Sequence, residues 1–272
     1  MRIIDPHVHI WKNDPEYPWA PETTSPPRFD ATPEMLLALM AAHGVDRTVL
    51  VQPIQYRWDN RYVADALHRY PDKFMAVCRV NPEDPAAPDH LSRWAEEAGF
   101  RGVRLSPALG TAGDWFTGPL MGPLFARAAE LRVPLLVLTK PGRLPDLAAL
   151  LERHPDLDVC VDHMADATPT DVAEVQSLLA LAHYPRVYVK ISHTWSTSGV
   201  AYPWKDTWAL VKEVYQTFGA PRIMFGTDWP VCLAHTDYQH TIAVVREEMD
   251  FWAGEDLEWV MGKTALRLWP FT

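Results

Sequence analysis

The sequence predicts an α/β fold, a single (β/α)8 TIM barrel with long loops after strands one and seven, and three observations carry that expectation. Short β-branched runs alternate with amphipathic helical patterns along the whole chain. Most of those runs are continuously apolar, as parallel strands covered on both faces must be. The 272 residues spread over eight strand–helix units leave 34 per unit, the size of the barrel repeat. An open doubly wound sheet carries a glycine-rich turn after its first strand, and Trp11-Lys12-Asn13-Asp14-Pro15 stands there instead. No further repeat, low-complexity stretch or linker divides the chain, so residues 1–272 read as one domain.

The predicted strands are 3–9, 48–52, 74–80, 102–105, 135–139, 159–163, 187–191 and 223–226. Thr32-Pro33-Glu34 opens the first helix with an N-cap and an N1 proline, and Gly44 closes it. Helix 60–70 ends before Pro71, helix 89–98 before Gly99, and helix 144–154 at Pro155. Helices 122–131, 170–182, 207–218 and 241–251 fill the remaining intervals, and a helical stretch at 256–267 closes the chain. Loop 12–31 holds Pro15, Pro18, Pro21, Pro26 and Pro27, with Tyr17 and Trp19, and reads as a packed lid. Loop 192–206 carries Trp195, Tyr202 and Trp204. Both loops follow strands, which puts them over the carboxyl end of the barrel, where such folds keep their active sites.

Asp and Glu outnumber Lys and Arg by 35 to 25, a net charge of -10, which argues against nucleic acid or an anionic membrane as partner. Hydrophobic residues make up 48%, enough for a large core. Cys78, Cys160 and Cys232 have no short spacing that suggests a disulfide framework or a zinc ribbon. With strand one beginning at Ile3 and no apolar run near eighteen residues, the chain reads as cytoplasmic. The oligomeric state is left open, a dimer among the options.

In a barrel the chemistry lies with the polar residues that end the strands. Alternation points His7 and His9 the same way at the end of strand one. Strand six ends in Asp162 and His163, and strand eight leads into Gly226-Thr227-Asp228-Trp229-Pro230. His7, His9, His163 and Asp228 form an N/O donor set suited to one divalent metal, zinc first and manganese second. Taken singly, His163 reads as a core histidine and Asp228 as a turn residue; their joint placement favours a site. Arg104, Lys140 and Lys190 end strands four, five and seven, and suit an anionic small-molecule substrate or, equally, internal ion pairs. His193 lies just beyond Lys190. Seven of the twelve tryptophans, Trp11, Trp19, Trp58, Trp115, Trp195, Trp204 and Trp229, fall in loops after strands and suit a ring-shaped ligand or plug the loops onto the barrel.

Asp5-Pro6-His7-Val8-His9-Ile10-Trp11 with Tyr17-Pro18-Trp19, Val161-Asp162-His163-Met164, and Phe225-Gly226-Thr227-Asp228-Trp229-Pro230 resemble the amidohydrolase-2 family of TIM-barrel, metal-dependent hydrolases. The nearest branch holds sugar-acid lactonases and 2-pyrone-4,6-dicarboxylate lactonase. The resemblance spans the whole chain. It implies that His7, His9, His163 and Asp228 are site residues, with Asp228 and His163 catalytic. Arg104 and Thr139 stand where two-metal members carry a carboxylated lysine or glutamate and a histidine, which excludes a binuclear site. Members of the branch act with one metal or with none, and both options stay open. The function expected is hydrolysis of a small carboxylated lactone by activated water, with Arg104, Lys140, Lys190, His193 and Trp229 around the substrate. Two alternatives stand beside it: a metal-dependent decarboxylase of an aromatic or unsaturated acid, and a ligand-binding barrel without activity.

Overall fold

The computed structural model describes residues 1–106 and 116–271. Trp115, one of the loop tryptophans, lies outside the described residues. The eight expected strands are β1 (Ile4–Val8), β2 (Arg47–Val51), β3 (Phe74–Val77), β4 (Val103–Leu105), β5 (Leu135–Val137), β6 (Val159–Val161), β7 (Val187–Lys190) and β8 (Ile223–Met224). Most stop short of the predicted carboxyl end, because the polar residues there turn into the barrel mouth and leave the ladder. All neighbours are parallel, in a ladder β1-β2-β3 and a ladder β4-β5-β6-β7-β8. Parallel bridges close both seams, Cys78 with Val103 and Val8 with Trp229. At the first, Arg104 N–H donates to the Cys78 carbonyl at 2.8 Å; at the second, His9 N–H donates to the Trp229 carbonyl at 2.7 Å.

The outer helices are α1 (Pro33–His43), α2 (Arg61–Arg69), α3 (Ala87–Glu97), α4 (Met121–Glu130), α5 (Leu144–Leu151), α6 (Val172–Ala180), a single turn α7 (Thr194–Thr197), α8 (Trp208–Phe218), α9 (Tyr238–Ala243), α10 (Asp256–Glu258) and α11 (Thr264–Leu268). Helix α1 has the predicted ends: Thr32 accepts from Met35 N–H, and Gly44 takes the left-handed conformation at φ 70°. Three expectations need correction. The helix placed at 241–251 starts at Tyr238, because Asp237 caps it by accepting from His240 N–H at 2.8 Å, and it runs on as a π-helical turn over Val244–Glu248. The closing stretch is split by a second π-helical turn, Trp259–Lys263. Loop 192–206 is not wholly irregular, since α7 lies within it. Loop 12–31 is packed as expected, with Trp19 stacked on Tyr56 at 4.7 Å between ring centroids.

Strand alternation divides the core in two. Leu50, Leu135, Val137, Val159, Val161, Val187 and Val189 face outward, in one cluster with Leu36, Leu124, Leu147, Leu178 and Val211 of the helices. Ile4, Val49, Val51, Val77, Leu136, Cys160, Tyr188 and Met224 form a separate inner cluster on the barrel axis. Trp269 completes that inner cluster from the end of the chain. Its Nε1–H donates to the Arg101 carbonyl at 2.8 Å, and its ring centroid lies 5.7 Å from Lys190 Nζ, within cation–π range. Apolar filling below thus gives way to charge above. The three cysteines are buried and unpaired. Among the described residues no helix is long and apolar enough to cross a membrane.

Removing the Trp269 ring would leave the lower barrel unfilled. Trp269→Ala should destabilise the protein by about 3–5 kcal/mol, measured by denaturant unfolding. A loss under about 1 kcal/mol would show that the plug adds little.

Candidate functional site

Pro6 has no N–H to give to a ladder, and the pairing of β1 slips beside it, from Asp5 against Thr48 to Val8 against Leu50. His7 and His9 nevertheless converge: their Nε2 atoms lie 3.4 and 3.1 Å from Asp228 Oδ1. Asp5 ties the first strand to the last, accepting from Thr227 Oγ1–H at 2.6 Å, Thr227 N–H at 3.2 Å and His7 N–H at 3.3 Å. Burial pushes the Asp5 carboxyl up to about 6, against the pull of those hydrogen bonds. Gly226 lets the chain after β8 approach this closely, since a Cβ there would lie 3.1 Å from His7 Cβ.

After β6 the chain makes a left-handed turn with no glycine: His163, Met164, Ala165 and Asp166 have φ of 55°, 53°, 56° and 50°. For L-residues this costs about 1–2 kcal/mol each, so about 4–8 kcal/mol for the turn. Its 3₁₀ winding sets residues i and i+3 on one side, so His163 and Asp166 face the same partner. That partner is His193. The His163 and His193 rings stack at 3.5 Å with planes 1° apart, while His163 Nδ1 meets Ser192 Oγ at 2.7 Å. His193 Nδ1 is 3.1 Å from Asp166 Oδ1, and its Nε2 is 2.6 Å from Asp228 Oδ2. Carboxylates only accept, so both ring nitrogens carry protons. Burial lowers His193, but Asp228 and Asp166 outweigh it and raise the ring to about 9. Burial raises Asp228, and His193 overrides it, holding the carboxyl well below its ordinary range. His7 and His163 go the other way: burial, then Lys190 for His7 and His193 for His163, keeps them neutral.

The predicted cations have carboxylate partners. Arg104 Nε donates to Asp162 Oδ2 at 2.8 Å, and Lys190 Nζ lies 3.0 Å from Asp162 Oδ1. Burial works against Asp162's charge, but Lys190, His7 and Arg104 together hold its carboxyl well below the ordinary range. Lys140, 63% exposed, reaches Asp166 Oδ2 at 2.8 Å and stands outside the histidine cluster. Trp229 is buried and lines a groove with Phe29, Met35, Leu39 and Leu233, and its carbonyl accepts from His9 N–H. Two groups escaped the sequence reading. Arg79, at the end of the strand predicted at 74–80, is buried and donates to the Gln52 carbonyl at 3.0 Å and Ser106 Oγ at 2.7 Å. No carboxylate pairs with it among the described residues. Asp166 was hidden because nothing in its neighbourhood announces a left-handed turn.

The donors form three overlapping groups, His7–His9–Asp228, His7–Asp162–His163 and His163–His193–Asp228, each with ligand atoms within 4.8 Å of one another. His9 Nδ1–H donates to the Val51 carbonyl at 2.7 Å, so Nε2 is the ring nitrogen that faces Asp228 Oδ1, at 3.1 Å. His7 Nε2 and Asp228 Oδ1 are buried without hydrogen-bond partners among the described residues. Tetrahedral ligands about 2.0–2.2 Å from one ion lie about 3.3–3.5 Å apart, close to these separations. The residues therefore fit one divalent ion. His7 Nδ1 has two neighbours of opposite demand, the Lys190 ammonium at 3.0 Å and Asp162 Oδ1 at 3.4 Å. Donation by Lys190 puts the His7 proton on Nε2; donation to Asp162 frees Nε2 as a ligand.

Asp162→Asn would leave Arg104 and Lys190 buried without a counter-charge. Such losses cost about 3–5 kcal/mol. Denaturant unfolding should show a loss of this size, and a shift under about 1 kcal/mol would mean that the pairing does not hold the mouth together.

The amidohydrolase family model matches residues 4–271. An L-fucono-1,5-lactonase of Burkholderia ambifaria is 31% identical over 232 residues, 84% of this chain and 80% of that protein. A 2-pyrone-4,6-dicarboxylate hydrolase of Comamonas testosteroni is 26% identical over 239 residues, 84% of this chain and 76% of that protein. Among solved structures, an amidohydrolase of Burkholderia multivorans with bound zinc superposes with a TM-score of 0.81 at 23% identity, over 100% of both chains. With these matches over a closed eight-stranded barrel, the chain is an enzyme of the amidohydrolase family.

Proposed function

We propose that this enzyme hydrolyses a small lactone that carries an anionic group, at the centre made by His7, His9, His163 and Asp228. The observation that carries the reading is the convergence of His7, His9 and His193 on the two oxygens of one buried carboxylate, Asp228, in a family with lactonase relatives. One divalent ion, zinc first and manganese second, would be held by His7, His9 and Asp228 with His163 beside them; when bound it supplies Lewis acidity to the ester carbonyl. Asp228, kept ionised by its neighbours, takes the proton of the attacking water and returns it to the leaving alkoxide. His163, neutral and fixed by Ser192, borders the same space and orients the carbonyl. Arg79, Arg104 and Lys190 gather three buried cations against the single carboxylate of Asp162, a surplus that suits an anionic substituent on the substrate.

The test is a panel of neutral sugar-acid lactones and carboxylated or sulfonated lactones, assayed by proton release with and without added zinc or manganese. Turnover is expected with an anionic member, and Asp228→Asn should lower kcat at least about 100-fold. Carbon dioxide release from an aromatic acid, or no turnover of any lactone, would overturn the reading. Elemental analysis should find about one equivalent of metal, lost in the His7→Ala, His9→Ala double variant. A metal-free protein that is still an active lactonase would leave the work to Asp228 and the imidazoles.

A further inference from the structure

We propose that Asp166 is a positioning residue for the reaction: from the end of the left-handed turn it locks the His193 ring in the orientation that engages Asp228. The inference rests on the hydrolase reading for its kinetic consequence and on geometry for the rest.

The stack of His163 on His193, with planes 1° apart, fixes the plane of the His193 ring. Stacking does not distinguish the two ring orientations related by a half-turn about Cβ–Cγ, and the terminal torsion of histidine is close to two-fold. That half-turn exchanges Nδ1 with Cδ2 and Nε2 with Cε1. It would put carbon where Nε2 now meets Asp228 Oδ2 at 2.6 Å. Asp228 favours the present orientation through Nε2, and Asp166 secures it at the other nitrogen, because its Oδ1 lies 3.1 Å from Nδ1 and accepts from nitrogen, not carbon. Lys140 holds the other carboxylate oxygen, Oδ2, at 2.8 Å, which orients the carboxylate in turn.

The consequence reaches the reacting centre through Asp228. With Oδ2 taken by His193, Oδ1 is the oxygen turned to His7 and His9. Four successive non-glycine residues are held at positive φ to present His163 and Asp166 together, and His193 (φ 67°) and Asp228 (φ 54°) lie in the same region of backbone space. Strained backbone concentrated around one imidazole marks a functional arrangement.

Two variants separate positioning from folding. Asp166→Gly removes the carboxylate while favouring the positive φ, so the turn persists. Asp166→Asn keeps a carbonyl oxygen for Nδ1–H and also tolerates this conformation. With imidazole-¹⁵N-labelled protein, the hydrogen-bonded ring N–H signals of His193, identified by their loss in His193→Gln, should persist in Asp166→Asn and collapse in Asp166→Gly. With a lactone that the enzyme turns over, Asp166→Gly should lower kcat about 10–100-fold with KM within about threefold, and Asp166→Asn should recover most of it. Melting temperature should not fall in the glycine variant. Retention of both the N–H signals and kcat in Asp166→Gly overturns the proposal, as does a loss of kcat that is equal in both variants and tracks a lowered melting temperature. If no lactone is turned over, the hydrolase reading fails by itself and the ¹⁵N spectra still decide the role of Asp166.

Discussion

Two backbone hydrogen bonds at the seam of the barrel underlie the site. Asp228 N–H donates to the His7 carbonyl at 2.9 Å, and His9 N–H donates to the Trp229 carbonyl at 2.7 Å. They join residues more than two hundred positions apart and bring the first histidines of the chain against its last catalytic candidate. Asp5 reinforces the same seam from below through Thr227. Ring closure, which leaves no exposed edge, is also what assembles the chemistry.

Above the apolar filling of the barrel, charge is balanced around one residue. Asp162 sits between Arg104, Lys190 and His7, each within 3.4 Å, and all four are buried. Buried cations without a counter-ion are too costly to persist, so the carboxylate is a structural requirement before it is anything else. It also governs His7, whose free ring nitrogen depends on whether Nδ1 gives its proton to Asp162 or receives one from Lys190. The two tautomers of His7 differ only in where one proton sits, and only one of them leaves Nε2 free as a ligand.

Beside this centre lies a second arrangement. The imidazoles of His163 and His193 are stacked face to face, and His193 is shared between two carboxylates. The result is one charged ring lying on one neutral ring: burial keeps His163 neutral, while Asp228 and Asp166 keep His193 charged against the pull of burial. Such an arrangement tolerates little displacement, which accounts for an unfavourable backbone turn being held in place by the packing around it.

Much of this protein was legible in the sequence. Apolar runs and capping residues carry strand and helix identity locally, so the eight units, the Thr32 cap and the strand-end positions of His7, His9, His163 and Asp228 could be read directly. The helix at Tyr238 was misplaced because its cap, Asp237, competes with several other polar residues nearby. What remained hidden depends on distance in space. Arg104 and Lys190 read equally as substrate cations or as ion-pair members until closure set Asp162 between them, and nothing local indicates that Lys140 reaches Asp166 or that Trp229 lines an apolar groove. Arg79 and Asp166 carry no local signature, since ion pairing, ring stacking and a left-handed turn of ordinary residues arise only when strands three to eight stand side by side. Sequence determined which residues end the strands; the closed barrel decided which of them share a proton, a charge or a face, because those interactions act over a few ångströms and not along the chain.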